Sequence, residues 1–179
     1  MPEEFRVIRA FVVSLLVLVV VASGCDAEPG ARQPDQRAIR AGLAALYAGD
    51  HATAEDRRDG RCFAGQLVVR ATPQQLRDGG VLDADWGVVA ELPELSEQLA
   101  GLWVDAQFAC ADFVEASARA QLQASHGTID ARVYADCLRD LLSPELLRAA
   151  VVGTLTGDWN GADVTRLGKA QQTCAGRAA

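Results

Sequence analysis

The sequence predicts an all-α fold: a compact helical bundle built from two related helical units and closed by two disulfides. Three observations carry this prediction. Alanine- and leucine-rich stretches place apolar residues three and four positions apart, which lines one face of a helix, and alternating β-branched runs are nearly absent. Four cysteines, Cys62, Cys110, Cys137 and Cys174, follow an N-terminus of export type, where an even number reads as paired. A set of short landmarks also occurs twice, in the same order.

At the N-terminus, Arg6 and Arg9 precede AFVVSLLVLVVVA, thirteen uncharged residues from Ala10 to Ala22. That is the length of a signal h-region; a spanning helix needs about 20 apolar residues to cross roughly 30 Å of hydrocarbon. The next residues, Ser23, Gly24 and Cys25, complete with Ala22 a resemblance to the bacterial lipobox. It implies cleavage after residue 24 and acylation of the Cys25 thiol with a palmitate-type diacylglycerol, whose two chains anchor stably where one would be marginal. Residues 25–36 continue as a polar tether with two prolines and a glycine, reaching about 18 Å on average. The helical domain is expected over 37–179.

A first helix is expected from Asp35 to Ala48, with Ile39, Leu43, Leu46 and Tyr47 on one face and Gly49 stopping it. Further helices are expected near 53–70, 73–79, 94–124, 129–142, 144–155 and 161–174. Within this series His51, Thr53 and Cys62 are echoed by His126, Thr128 and Cys137. Thr72-Pro73, Leu76 and Arg77 are echoed by Ser143-Pro144, Leu147 and Arg148, then Asp85-Trp86 by Asp158-Trp159, and each copy closes on a cysteine, Cys110 or Cys174. The copies span about 51–110 and 126–174. Thr53 and Thr128 are placed as N-caps, with Glu55 and Asp130 near the positive end of each helix dipole. Thr72-Pro73 and Ser143-Pro144 pair a cap with proline at the first helical position. Trp86 and Trp159 are expected to close the loops over the core.

Four cysteines allow three connectivities. Pairing within each copy, Cys62 with Cys110 and Cys137 with Cys174, treats the copies alike. The rival pairing of Cys110 with Cys137 places them roughly 9 Å out of register across a helical hairpin turning at Ser125-His126-Gly127, whereas bridged Cα atoms come within about 7 Å. The Thr/Ser-Pro helix starts and the DAQFACADF segment around Cys110 resemble a group of uncharacterised exported proteins and lipoproteins of actinobacteria. The resemblance spans about Thr53 to Cys174, its motifs are structural, and it implies no activity.

The 179-residue chain carries 17 basic and 24 acidic residues; two of each lie before Cys25, so the mature part keeps a net charge of −7. This argues against nucleic acid and against adhesion to anionic headgroups. The two histidines, His51 and His126, sit in turns without metal-ligand spacing on one helix. Ser96, Ser117, Ser125 and Ser143 lie outside any nucleophile-elbow pattern. Asp83 to Gly87, with Glu91 and Glu94, carries oxygens at some calcium-loop spacings but has Val88 where the turn needs glycine; Asp158 to Asp163 is similarly incomplete. No metal, cofactor or catalytic residue is therefore assigned. The leading expectation is a non-enzymatic domain, anchored to the plasma membrane through Cys25, that presents an interaction surface to a protein. The alternative is a lipoprotein holding a lipid or small apolar ligand in a cavity near Leu102, Phe108 and Leu142.

Overall fold

A computed structural model describes residues 34–179; the signal segment, Cys25 and nearly all of the tether lie outside the described residues. Among the described residues eight helices follow one another: α1 (Gln36–Ala48), α2 (Ala54–Arg70), α3 (Pro73–Asp78), α4 (Glu97–Phe108), α5 (Phe113–Ala124), α6 (Ala131–Leu141), α7 (Pro144–Leu155) and α8 (Ala162–Ala178). Among the described residues the only β-type pairing is an isolated bridge between Leu82 and Val88. No described helix is long and apolar enough to cross a membrane.

Local chemistry accounts for most of the boundaries. Asp35 starts α1 by accepting hydrogen bonds from the N–H groups of Arg37 and Ala38, and Gly49 ends it at φ 75°. At α2, Thr53 accepts from the Asp56 N–H while the Asp56 carboxylate accepts from the Thr53 N–H at 2.8 Å, a reciprocal capping box. Thr72 and Gln75 repeat that box at α3, and Ser143 caps α7; proline follows the cap in both.

The Asp56 box gives a pH-dependent prediction. Its carboxyl is held below the ordinary 3.8, first by the Thr53 backbone N–H and then by the Thr53 hydroxyl. A carboxylate whose folded pKa is depressed contributes stability above its unfolded pKa and loses it as pH falls through the folded value. Urea denaturation of the wild type and of Asp56→Ala should therefore show a stability gap at neutral pH that closes below about pH 4. A gap independent of pH would contradict the assignment.

Three boundaries differ from the sequence expectation. The helix expected over 94–124 is two helices, because Asp112 caps a new one by accepting from the N–H groups of Val114 and Glu115, and Ser96 sets the start of α4. Cys110 thus lies in the turn between α4 and α5, not on a continuous helix, so the register mismatch derived for a Cys110–Cys137 bridge does not apply in that form. Thr128 is not the cap of α6: its hydroxyl donates to the Ser125 carbonyl, and Asp130 caps the helix. Finally, α8 continues past Cys174 to Ala178.

The order of elements repeats. In α1–α4 and in α5–α8 alike, the second helix carries the first cysteine, a Thr/Ser-Pro start opens the third, an Asp-Trp loop leads to the fourth, and a cysteine in or just after the fourth returns to the second. Each copy gains a leading helix, α1 or α5, beyond the bounds read from sequence. Burial follows the same displacement that separates Cys62 from Cys137: Ile39 and Val114, Leu43 and Ala118, Phe63 and Leu138, and Leu67 and Leu142 are all buried pairs. Trp103 and Leu167, and Ala106 and Ala170, are buried at the displacement that separates Cys110 from Cys174.

Helix α1 packs on α2 and α2 on α4; α5 packs on α6, and α8 on both α6 and α7. The α1–α2 approach is close enough that a Cβ added at Gly60 would stand 2.5 Å from the Ala44 carbonyl oxygen, so only glycine fits there. One core is formed by residues of α1–α4 and their connections, including Leu43, Phe63, Leu67 and Trp103. The second is formed by α5–α8 with Val104 of α4, and includes Tyr134, Leu138 and Cys174. They adjoin where α4 meets α7: Val152 and Leu155 touch both, and the Leu95 N–H donates to the Leu155 carbonyl at 2.8 Å.

Candidate interaction surface

The four cysteines pair within the copies, Cys62 with Cys110 and Cys137 with Cys174, at Cα–Cα distances of 5.7 and 5.5 Å. Their surroundings differ. Cys137 and Cys174 are 6% and 0% exposed and belong to the second core, with the Arg177 guanidinium donating to the Cys137 sulfur at 3.6 Å. Cys62 is exposed and Cys110 half-buried.

The two Asp-Trp loops have also diverged. In the first, the Asp83 carboxylate accepts at 2.8 Å from the N–H groups of both Asp85 and Gly87, which holds Trp86 between them at φ 67°, a conformation costly for a bulky side chain. The Arg77 guanidinium lies 4.7 Å from the centre of the Trp86 ring, and the half-buried indole packs against the first core. In the second, Arg148 occupies the place of Arg77 but turns to Asp105 on α4, 2.9 and 3.0 Å away. Trp159 is left 63% exposed, flanked by exposed Asp158 and Asn160. The expectation that both tryptophans close over the core therefore holds only for Trp86; Arg148, at the place of the residue that covers it, is paired with Asp105 instead.

The same two loops carry the oxygens read from sequence at some calcium-loop spacings. Asp83 is committed to its own backbone, and the Asp158 carboxylate lies over Gly161, where an added Cβ would collide with it. Among the described residues no three His, Cys, Asp or Glu side chains are placed to hold a metal ion. His51 and His126 are exposed turn residues. Each of the four serines among the described residues has a structural partner: Ser96 and Ser143 cap helices, Ser125 donates to the Leu122 carbonyl, and Ser117 lies 3.3 Å from the Tyr134 hydroxyl.

Two polar clusters were not visible in the sequence. Asp59 of α2 is 7% exposed and lies 3.3 Å from Arg58 and 4.0 Å from Arg119 of α5, whose other nitrogen is 3.4 Å from Glu55. Burial, then the Asp59 charge, raises the pKa of the nearby Tyr47. At the repeat-related position, Tyr134 is 1% exposed and meets Ser117, to which Gln171 of α8 also donates at 3.4 Å. Both clusters join a second helix to its neighbours. The repeat would have flagged them only if position 59 and its counterpart had kept the same residue.

The clefts are surface concavities. One of about 380 Å³ lies between α3 and α4, lined by Gln75, Asp78, Glu94, Ser96 and Leu102; another of about 450 Å³ lies between α5, α6 and α8, lined by Ser117, Gln121, Tyr134 and Gln171. Both open to solvent and mix polar with apolar lining. Leu142 is buried, while Leu102 and Phe108 are half-buried against the cores. No known family, characterised protein or solved structure matches this chain.

Proposed function

We propose that the chain is an exported lipoprotein held at the outer face of the plasma membrane through Cys25, and that its helical domain is a non-enzymatic interaction module. The anchor rests on the lipobox-like Ala22-Ser23-Gly24-Cys25 segment, and two disulfides in the following domain agree with an oxidising compartment. The observation that carries the interaction reading is Trp159. An exposed tryptophan on a short loop is the side chain most enriched at binding hot spots, and its repeat counterpart Trp86 is covered by Arg77 while Trp159 is not. A lipid or small apolar ligand draws less support, because the clefts are open and partly polar where such a ligand needs an enclosed apolar cavity.

Two measurements test the proposal. With an alkyne analogue of palmitate, the wild type should incorporate label and partition into detergent, and Cys25→Ala should do neither; labelling that survives the substitution would contradict the anchor. For the surface, a photo-crosslinker at Asn160 should trap a discrete protein on intact cells. Trp159→Ala should reduce that adduct as expected for a loss of about 2 kcal/mol or more. An equal yield with and without Trp159, or the same adduct from a crosslinker at Val69, 81% exposed on α2, would contradict the reading.

A further inference from the structure

The two disulfides occupy corresponding places in the two copies, yet only the first includes an exposed residue. Cys137 and Cys174 both lie within helices and within a core, at 6% and 0% exposure. A nucleophile must approach a disulfide along the S–S axis, and core side chains and the Arg177 guanidinium crowd that bond. Cys62 is an exposed residue in the middle of α2, and Cys110 lies outside any helix, two residues past the end of α4 at Phe108 and two before the Asp112 cap of α5. The chain around Cys110 is a turn, held by the Cys110 and Ala111 N–H groups donating to the Gln107 carbonyl at 3.0 Å.

We infer that the Cys62–Cys110 bond is a thiol–disulfide exchange site, entered at the Cys62 sulfur by an external dithiol, and that its opening loosens the joint between the two copies. One thiolate of the dithiol attacks Cys62 Sγ; a mixed disulfide forms there, the Cys62–Cys110 bond breaks, and Cys110 leaves as a thiolate. The second thiol of the dithiol then attacks its own sulfur in the mixed disulfide and releases the Cys62 thiolate. In sum the dithiol is oxidised to its disulfide, the protein bond is reduced by two electrons, and the two protons pass to Cys62 and Cys110. The structural effect is local: α2 loses its tether to residues 109–112, which link α4 to α5, while α6 and α8 keep theirs.

The test uses the mature chain under native conditions. Samples exposed to increasing dithiothreitol, or in a second arm to reduced thioredoxin, are acid-quenched, alkylated and mapped by mass spectrometry. Cys62 and Cys110 should label at a rate at least about tenfold above Cys137 and Cys174, with helical circular dichroism retained. Selectivity with both reagents supports exchange with a protein dithiol, and selectivity with dithiothreitol alone supports exchange with small dithiols. Labelling of all four cysteines together, or of Cys137 and Cys174 first, overturns the inference. Hydrogen exchange of the selectively reduced protein should quicken over 109–112 and the middle of α2 and stay unchanged in α6–α8; unchanged exchange at the joint overturns the structural half. A Cys62→Ser, Cys110→Ser variant should show the same loosening with no reductant, which separates it from any effect of the reagent.

Discussion

Phe63→Ala should lower the free energy of unfolding by about 3–5 kcal/mol in urea denaturation of the oxidised protein. The side chain is 0% exposed on α2, between Tyr47 of α1 at a ring-centroid distance of 4.4 Å and Trp103 of α4 at 4.6 Å. Truncation removes a buried ring and two aromatic contacts, each worth roughly 0.5–1.5 kcal/mol beyond the area they cover. It also leaves a void that three separate helices cannot collapse to fill. Leu138 stands at the corresponding place in the second copy, equally buried but without stacked rings, and Leu138→Ala should cost less, about 2–4 kcal/mol. A loss under about 1 kcal/mol at Phe63 would mean that the aromatic cluster does not hold α1, α2 and α4 together. For a domain whose total stability is of the order of 5–15 kcal/mol, either change is large.

The second large effect concerns the buried disulfide. Replacing Cys137 and Cys174 together by alanine should cost about 4 kcal/mol by release of the unfolded chain alone. The bonded residues are 37 apart, against 48 for Cys62 and Cys110, and because loop entropy grows with the logarithm of length the two bonds are nearly equal on that count. Burial separates them. Two sulfurs leave the second core when Cys137 and Cys174 are truncated, a loss on the scale of a methyl group each, whereas at the exposed Cys62 water fills the space. The Cys137→Ala, Cys174→Ala protein should therefore melt below the Cys62→Ala, Cys110→Ala protein. The reverse order would show that the exposed bond constrains the native state in a way its surroundings do not explain.

What the sequence made legible is the chemistry that acts over a few residues. Thr53 with Asp56, Thr72-Pro73 and Ser143-Pro144 announce helix starts because cap, proline and reciprocal acceptor lie within one turn of chain. The cysteine pairing followed from the repeat. The break at Ala109–Asp112 was hidden because alanine, cysteine and phenylalanine continue the apolar spacing across it, so the one signal, Asp112, reads as a residue on a helix surface. Thr128 and Asp130 are both competent caps two residues apart. Burial of the intervening Ile129 and a hydrogen bond from the Asp130 N–H to the Ala178 carbonyl accompany the choice of Asp130, and both are tertiary effects. The exposure of Trp159 is further still from local reading: it is a tertiary property, as is the pairing of Arg148 with Asp105, 43 residues away. The candidate surface was thus invisible for the reason that makes it informative: it is a difference between two copies that carry the same Asp-Trp landmark.

The shared position of Val152 and Leu155 sets a limit on how this molecule could be divided. Each half has its own core and its own covalent clasp, which invites the idea of two modules in series. Yet these side chains lie against both cores, and the Leu95 N–H is satisfied by a carbonyl of the other half. Cut between α4 and α5, the first half would lose the acceptor for a backbone donor and expose the part of its core against which Val152 and Leu155 pack. The second half would lose Val104 from its interior. The two halves complete each other, so neither would serve as a free-standing part.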